Sequence, residues 1–87
     1  MTKVSVFIVT LNEAETIGAT VQSVADFDEV IVVDSGSTDD TVAIARREGA
    51  RVVHHEWQGF SQQKAFALGL CSNEWCLNLD GDEVVPP

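Results

Sequence analysis

Cations are scarce in this chain: five Lys and Arg stand against fourteen Asp and Glu in 87 residues, a formal charge of −9. Side-chain charge alone therefore cannot hold a nucleic acid or an anionic membrane surface, and a polyanionic partner needs an intervening cation. Long apolar runs are missing too. Those present are short, such as Ile31 to Val33, far below the roughly 18–20 residues of a membrane span, so no transmembrane segment is expected. Met1-Thr2-Lys3 leads directly into a β-like run with neither an apolar signal core nor a small-residue cleavage site, from which cytoplasmic residence is expected. Cysteine is limited to Cys71 and Cys76, five residues apart, which fits neither a redox pair nor a zinc knuckle. Free thiols, at least partly buried, are the expectation. With 45% hydrophobic residues the chain is too apolar for disorder, but at this length one small domain leaves little room for two independent substrate sites.

What is present is an alternation of apolar runs with helical periodicity. Val4-Ser5-Val6-Phe7-Ile8-Val9 suits a strand covered on both faces and ends near Thr10. Asn12, followed three residues later by Glu15, reads as the cap of a helix over residues 13–24 that carries Ile17, Val21 and Val24. Val30-Ile31-Val32-Val33 is a second buried strand. It runs into Asp34-Ser35-Gly36-Ser37-Thr38-Asp39-Asp40, where Ser37 is a candidate cap and a helix is predicted from about Asp39. That helix places Arg46 and Arg47 in its last turns and stops at Gly49. Residues 51–54 form a short third strand, a third helix marked by Phe60, Ala65, Phe66, Leu68 and Leu70 ends near Cys71-Ser72-Asn73, and residues 75–79 form a fourth strand. The βαβαβαβ order predicts an α/β fold: an open, mainly parallel sheet of about four strands with helices on both faces.

Parallel strands bring their carboxyl ends to one edge, so Thr10-Leu11-Asn12, Asp34-Ser35-Gly36 and Asp80-Gly81-Asp82 converge where such sheets bind ligands. Two carboxylates around a glycine can face one hard cation, or a cation and a ribose hydroxyl. Mg2+ or Mn2+ suits such a site, because these ions are held by one or two carboxylates while phosphates and waters complete the shell. The cation would also reverse the repulsion that Asp80, Asp82 and Glu83 exert on a diphosphate. The competing reading is a polar turn after a strand. Asp34 can accept hydrogen bonds from a base N–H or from ribose hydroxyls. Thr10 is a candidate ligand contact, and Asn12 is a cap first. Lys64 can reach a phosphate or lie along Phe60, and Trp57 can stack on a base or cover the core. His54 and His55, adjacent on a strand, face opposite ways and cannot easily chelate together.

The three segments Val6-Phe7-Ile8-Val9-Thr10-Leu11-Asn12-Glu13, Val30-Ile31-Val32-Val33-Asp34-Ser35-Gly36-Ser37-Thr38-Asp39 and Trp75-Cys76-Leu77-Asn78-Leu79-Asp80-Gly81-Asp82-Glu83 together resemble the N-terminal half of family 2 glycosyltransferases of the GT-A fold. The Asp-Ser-Gly-Ser-Thr-Asp loop, Gly59-Phe60 with Gln63-Lys64, and the Asp-x-Asp-Glu ending are similar to those of lipopolysaccharide core glycosyltransferases of the β-1,4-glucosyltransferase kind. The resemblance covers essentially the whole chain. It implies the Rossmann-like half of a GT-A domain, a UDP-linked sugar as substrate, a cell-envelope glycan or lipopolysaccharide core as acceptor, and inversion at the anomeric carbon. The residues it implies for binding the nucleotide sugar are Thr10, Asn12, Asp34, Ser35, Lys64 and Asp80, with Asp82 and Asp80 for Mg2+ or Mn2+.

Three positions depart from the family pattern. Ser35 stands where many relatives carry a second Asp, which leaves Asp34 and Ser35 both open as base contacts. Ala65 stands where many have Asn, and Gly81 replaces a common Ala, a change that a turn should tolerate. In that family the carboxylate that deprotonates the acceptor lies in the later half. Residues 1–87 are therefore expected to be a nucleotide-sugar-binding part cut after the Asp-x-Asp motif and inactive alone, the full-length protein being cytoplasmic or peripheral at the inner membrane. The alternative is a non-catalytic acidic α/β module, either an interaction domain or a receiver-like domain with Asp34 as phosphoacceptor.

Overall fold

A computed structural model describes residues 3–82 and residue 85. It contains β1 (Val4–Thr10), α1 (Ile17–Ser23), β2 (Glu29–Asp34), α2 (Thr41–Arg47), β3 (Arg51–His54), α3 (Phe60–Leu70) and β4 (Trp75–Asp80). The strands form one sheet in the order β3-β2-β1-β4, every pairing parallel. The predicted α/β architecture is what is observed. No helix among the described residues is long and apolar enough to cross a membrane.

Handedness explains the layers. The β1-to-β2 and β2-to-β3 crossovers step in one direction, so right-handed connections put α1 and α2 on the same face. The β3-to-β4 connection steps back past β2 and β1, which sends α3 to the other face. Successive strand side chains point oppositely, and the core divides accordingly. Val6, Ile8 and Val32 pack with Ile17, Val21, Val24 and Ala45 on the α1/α2 side. Phe7, Ile31 and Val33 pack with Ala67 on the α3 side. Cys71 and Cys76 are free, half-buried thiols against this second cluster, and burial pushes the Cys71 thiol up.

The helix starts differ from the sequence expectation. Residues 13–16 form a turn, with the N–H groups of Thr16 and Ile17 on the Glu13 carbonyl, so α1 begins at Ile17. Asn12 does not cap it: at φ 52° it turns the chain, and its Oδ1 accepts the Thr38 N–H at 2.8 Å across the loop. Ser37 is no cap either, because its hydroxyl donates to Asp34 Oδ1 and accepts the Asn12 N–H. Asp39 instead accepts the Thr41 N–H at 3.0 Å and sets the start of α2. The α2 stop is as expected. Gly49 takes φ 98°, and the bonds from Gly49 N–H to the Arg46 carbonyl and from Ala50 N–H to the Ala45 carbonyl close a Schellman motif.

The carboxyl ends of β1 and β2 are tied through Asp34, which is 3% exposed. Its Oδ1 accepts from the hydroxyls of Thr10 (2.8 Å) and Ser37 (2.6 Å), and its Oδ2 from the N–H groups of Gly36 (3.1 Å) and Ser37 (2.8 Å). Burial alone would push this carboxyl up, but the Ser37 hydroxyl and N–H, the Thr10 hydroxyl and the Gly36 N–H outweigh it and hold the group below its ordinary value.

Gly49→Ala should cost about 1–2 kcal/mol in urea unfolding, the penalty of placing a Cβ at positive φ. Asp34→Asn should cost about 2 kcal/mol, since an amide cannot accept from four donors. Because folding depresses the Asp34 pKa, its stabilisation is fully present above its unfolded value of 3.8 and is lost as pH falls through the folded value. Unfolding free energy of the parent chain should accordingly decline in that acid window, and Asp34→Asn should flatten the decline.

Candidate functional site

The strand order reverses beside β1: β2 and then β3 follow on one side, while β4 returns to the other. At the carboxyl edge of such a switch the flanking loops diverge and leave a crevice. A cleft of about 660 Å³ lies there, with Val9, Thr10 and Asn78 in its floor.

Its β4 side is acidic. Asp80 ends the strand and Asp82 follows one turn residue later, both exposed and both lining the cleft. The turn between them is fixed from α1, because the Gly81 carbonyl accepts from the hydroxyls of Thr16 (2.8 Å) and Thr20 (3.1 Å). Glu13 supplies a third carboxylate. Burial raises its pKa above the ordinary value, the Leu11 N–H opposes this, and the charges of Asp82, Asp80 and Asp39 raise it further. The Glu13 carboxylate occupies the space that a Cβ on Gly81 would fill. An Ala at this turn would require the Glu13 carboxylate, the far end of a flexible side chain, to move aside.

The opposite side is polar and aromatic. Ser35, Gln63 and Lys64 face the cleft together with Trp57 and Phe60, which are 48% and 74% exposed and meet edge to face at 4.8 Å. Trp57 thus lines the cleft rather than covering the core. Lys64 is the cation of this lining. His55 is structural: its ring stacks on Phe66 at 3.9 Å and its Nδ1 bonds Gln63 Oε1 at 2.7 Å.

The structure thus brings Thr10, Ser35, Lys64, Asp80 and Asp82 to one cleft. Thr10 is 1% exposed and spends its hydroxyl proton on Asp34. Asp34 and Asn12 do not line the cleft: Asp34 turns inward onto its four donors, and Asn12 bridges to Thr38. Glu83 lies outside the described residues. Glu13 and Gln63, quoted from sequence only within motifs, were given no site role there. Glu13 was readable as a carboxylate directly after a strand end, and Gln63 as a polar residue in helical register with Phe60 and Ala67.

The donor set is compatible with a hard divalent cation. Among the described residues no group of three or more His, Cys, Asp or Glu is placed to hold a metal ion, so any ion here would rest on two carboxylates at most. Glu13, Asp80 and Asp82 nevertheless all line the cleft, so its β4 side concentrates negative charge. Carboxylates on one side and open space on the other suit an ion whose remaining positions are filled by substrate oxygens and water.

The sequence matches the model of the family described as Glycosyl transferase family 2 over residues 5–87. It is 56% identical over 84 residues to an uncharacterized glycosyltransferase of Rickettsia felis, covering 95% of this chain and 30% of that protein. It is 40% identical over 84 residues to the lipopolysaccharide core biosynthesis glycosyltransferase LpsC of Rhizobium meliloti, covering 91% of this chain and 31% of that one. Its fold superposes with a TM-score of 0.85 and 33% identity on glucosyl-3-phosphoglycerate synthase of Mycobacterium tuberculosis, solved with Mn2+, UDP and phosphoglyceric acid, over 98% of this chain and 34% of the synthase. The chain spans about a third of the length of these relatives. A match that begins in β1 and runs through all four strands and the Asp80-Gly81-Asp82 turn places this chain in glycosyl transferase family 2.

Proposed function

We propose that this chain is the nucleotide-sugar-binding part of a longer inverting glycosyltransferase, taking a UDP-sugar with a divalent cation for transfer to a cell-envelope glycan or lipopolysaccharide core acceptor. The observation that carries this reading is the polarity of one cleft: carboxylates on the β4 side, hydroxyl, amide, ammonium and aromatic groups on the α3 side. UDP and Mn2+ in the similar mycobacterial synthase support the nucleotide and the ion, and LpsC supports the acceptor class.

Asp82 and Asp80 would hold Mg2+ or Mn2+ at the diphosphate. Such an ion neutralises the charge that develops on the departing diphosphate. Lys64 extends from α3 to meet a phosphate oxygen, and Ser35 and Thr10 lie toward the base. Trp57 and Phe60 supply faces that exclude water from one side of the bound molecule. Asp34 acts on substrate indirectly, by fixing Thr10 and the loop through Ser37. Its four hydrogen bonds also speak against the receiver-like alternative, which needs an accessible carboxylate nucleophile there. The carboxylate that takes the proton of the acceptor hydroxyl belongs, in this reading, to the remainder of the longer protein.

Titration with UDP in the presence of Mg2+ should shift the amide resonances of Thr10, Ser35, Lys64 and residues 80–82, and omission of Mg2+ should weaken binding. Absence of shifts at these positions at millimolar UDP would sink the assignment. Asp82→Ala should abolish the Mg2+ dependence and weaken UDP by about tenfold or more, with no fall in melting temperature because the side chain is exposed and its charge repels that of Glu13. Thr20→Val should cost about 1 kcal/mol of stability by removing one of the two hydroxyls on the Gly81 carbonyl. It should also weaken UDP·Mg2+ binding, as the turn carrying Asp80 and Asp82 loosens.

A further inference from the structure

Cys71 and Cys76 lie away from the cleft, at the two ends of the short connection that carries the chain from α3 into β4. Cys71 is where α3 stops: its backbone is extended, at φ −67° and ψ 127°, while its Sγ stays on the last turn, 3.5 Å from the Ala67 carbonyl oxygen. Cys76 is the second residue of β4, in register with Ser5 of β1, so its side chain leaves the sheet on the α3 face. Both thiols pack there against the cluster of Phe7, Ile31, Val33 and Ala67. They are within hydrogen-bonding reach of each other, a meeting that their spacing in sequence does not indicate. The connection between them is also pinned. Ser72 donates its N–H and hydroxyl to Glu29, and Asn73 donates its N–H and side-chain amide to Ser5 Oγ.

Cys76 has a route to solvent as well. β4 is an edge strand, and a groove of about 300 Å³ lined by Val4, Trp75, Cys76 and Leu77 opens on it. We propose that Cys71 and Cys76 form a modification site, a dithiol that closes to a disulfide by exchange with a low-molecular-weight disulfide of the glutathione kind. The Cys76 thiolate attacks one sulfur of the reagent, whose S–S bond breaks, and the first reagent thiol leaves with the proton that Cys76 gave up. The Cys71 thiolate then attacks Cys76 Sγ, and the second reagent thiol leaves with the Cys71 proton. Two cysteine thiols are oxidised and one reagent disulfide is reduced to two thiols. The order follows from the surroundings. Cys76 lines the groove, whereas burial, and then Cys76 itself, push the Cys71 thiol up to about 12 and make it the slow second partner. The bond ties the end of α3 to the end of β4 remote from Asp80 and Asp82, so the inference is independent of the nucleotide-sugar reading.

The test is intact-mass measurement of the chain brought to equilibrium with mixtures of reduced and oxidised glutathione, in buffer and in urea, with remaining thiols trapped by an alkylating reagent. Closure in buffer should be favoured about tenfold or more over closure in urea, because a bond that the fold preorganises stabilises the fold in return. The oxidised chain should lose two hydrogens, take up no alkylating reagent and melt about 5 °C or more above the reduced chain. Cys71→Ser should stop at one glutathione on Cys76. The urea arm separates the geometry of the fold from mere closeness in sequence. Closure no more favourable in buffer than in urea overturns the inference. So does a folded parent chain that halts at the mixed disulfide, or one whose thiols stay open to alkylation in the most oxidising mixture. No nucleotide enters these measurements, so their failure leaves the proposed function standing.

Discussion

A carboxylate at 3% exposure is tolerable only when donors converge on it, and the carboxyl edge of this sheet is organised around meeting that requirement for Asp34. Thr10 meets it from β1, and Gly36 and Ser37 from the loop after β2. The requirement then propagates. Ser37, having donated its hydroxyl proton to Asp34, accepts the Asn12 N–H, and Asn12 returns its side-chain oxygen to the Thr38 N–H. Two loops about 25 residues apart in sequence are thereby stitched into one surface. That surface exists before any ligand arrives, and preorganisation of this kind removes ordering costs from binding.

The same economy of hydrogen bonds explains how the cleft acquires two chemically different sides. On the β4 side, threonines of the α1 segment hold the Gly81 carbonyl, so the flanking carboxylates of Asp80 and Asp82 are left facing outward. On the α3 side, the Gln63 amide bonds His55 and Ser35 and holds the Ser35 hydroxyl at the cleft wall. Buried backbone and amide groups thus fix the placement of exposed ones. At the amino edge an independent network does equivalent mechanical work. Glu29 accepts from Ser5 and from the Ser72 N–H and hydroxyl, pinning the α3–β4 connection to the sheet without touching the cleft.

The elements with uninterrupted apolar runs were legible from sequence because burial on both faces leaves a strong pattern. Residues 51–54 were placed as found, and residues 30–33 and 75–79 each fell within a residue of the observed ends. The convergence of three polar loops followed from parallel topology alone. The starts of the first two helices were not legible, because Asn12, Ser37 and Asp39 are all competent caps, and which oxygen meets which N–H depends on partners about 25 residues distant. Asp34 illustrates the same limit. Its position at a strand end marked it as a ligand contact, yet its orientation is set by Thr10, a residue of another strand. Gln63 was visible as part of a motif but its role was not, since a single polar residue on a helix says nothing of the serine and histidine that surround it.

Opposed ionisation demands coexist in this one small sheet. Asp34 and Glu29 are held below their ordinary pKa values, Asp34 by donors that outweigh its burial and Glu29 first by the Ser72 N–H, so folding gains stability as pH rises through the acid range. Glu13 runs the other way. Burial and the charges of Asp82, Asp80 and Asp39 raise it above 4.5, so the folded chain binds the extra proton and loses stability as pH rises between that value and the raised one. Burial is the first cause of this cost, and the charges of Asp82 and Asp80 add to it. In the proposed reading a divalent cation beside Asp80 and Asp82 offsets the like-charge part of that cost, so the carboxylates that repel one another across the cleft favour a cation-bound diphosphate.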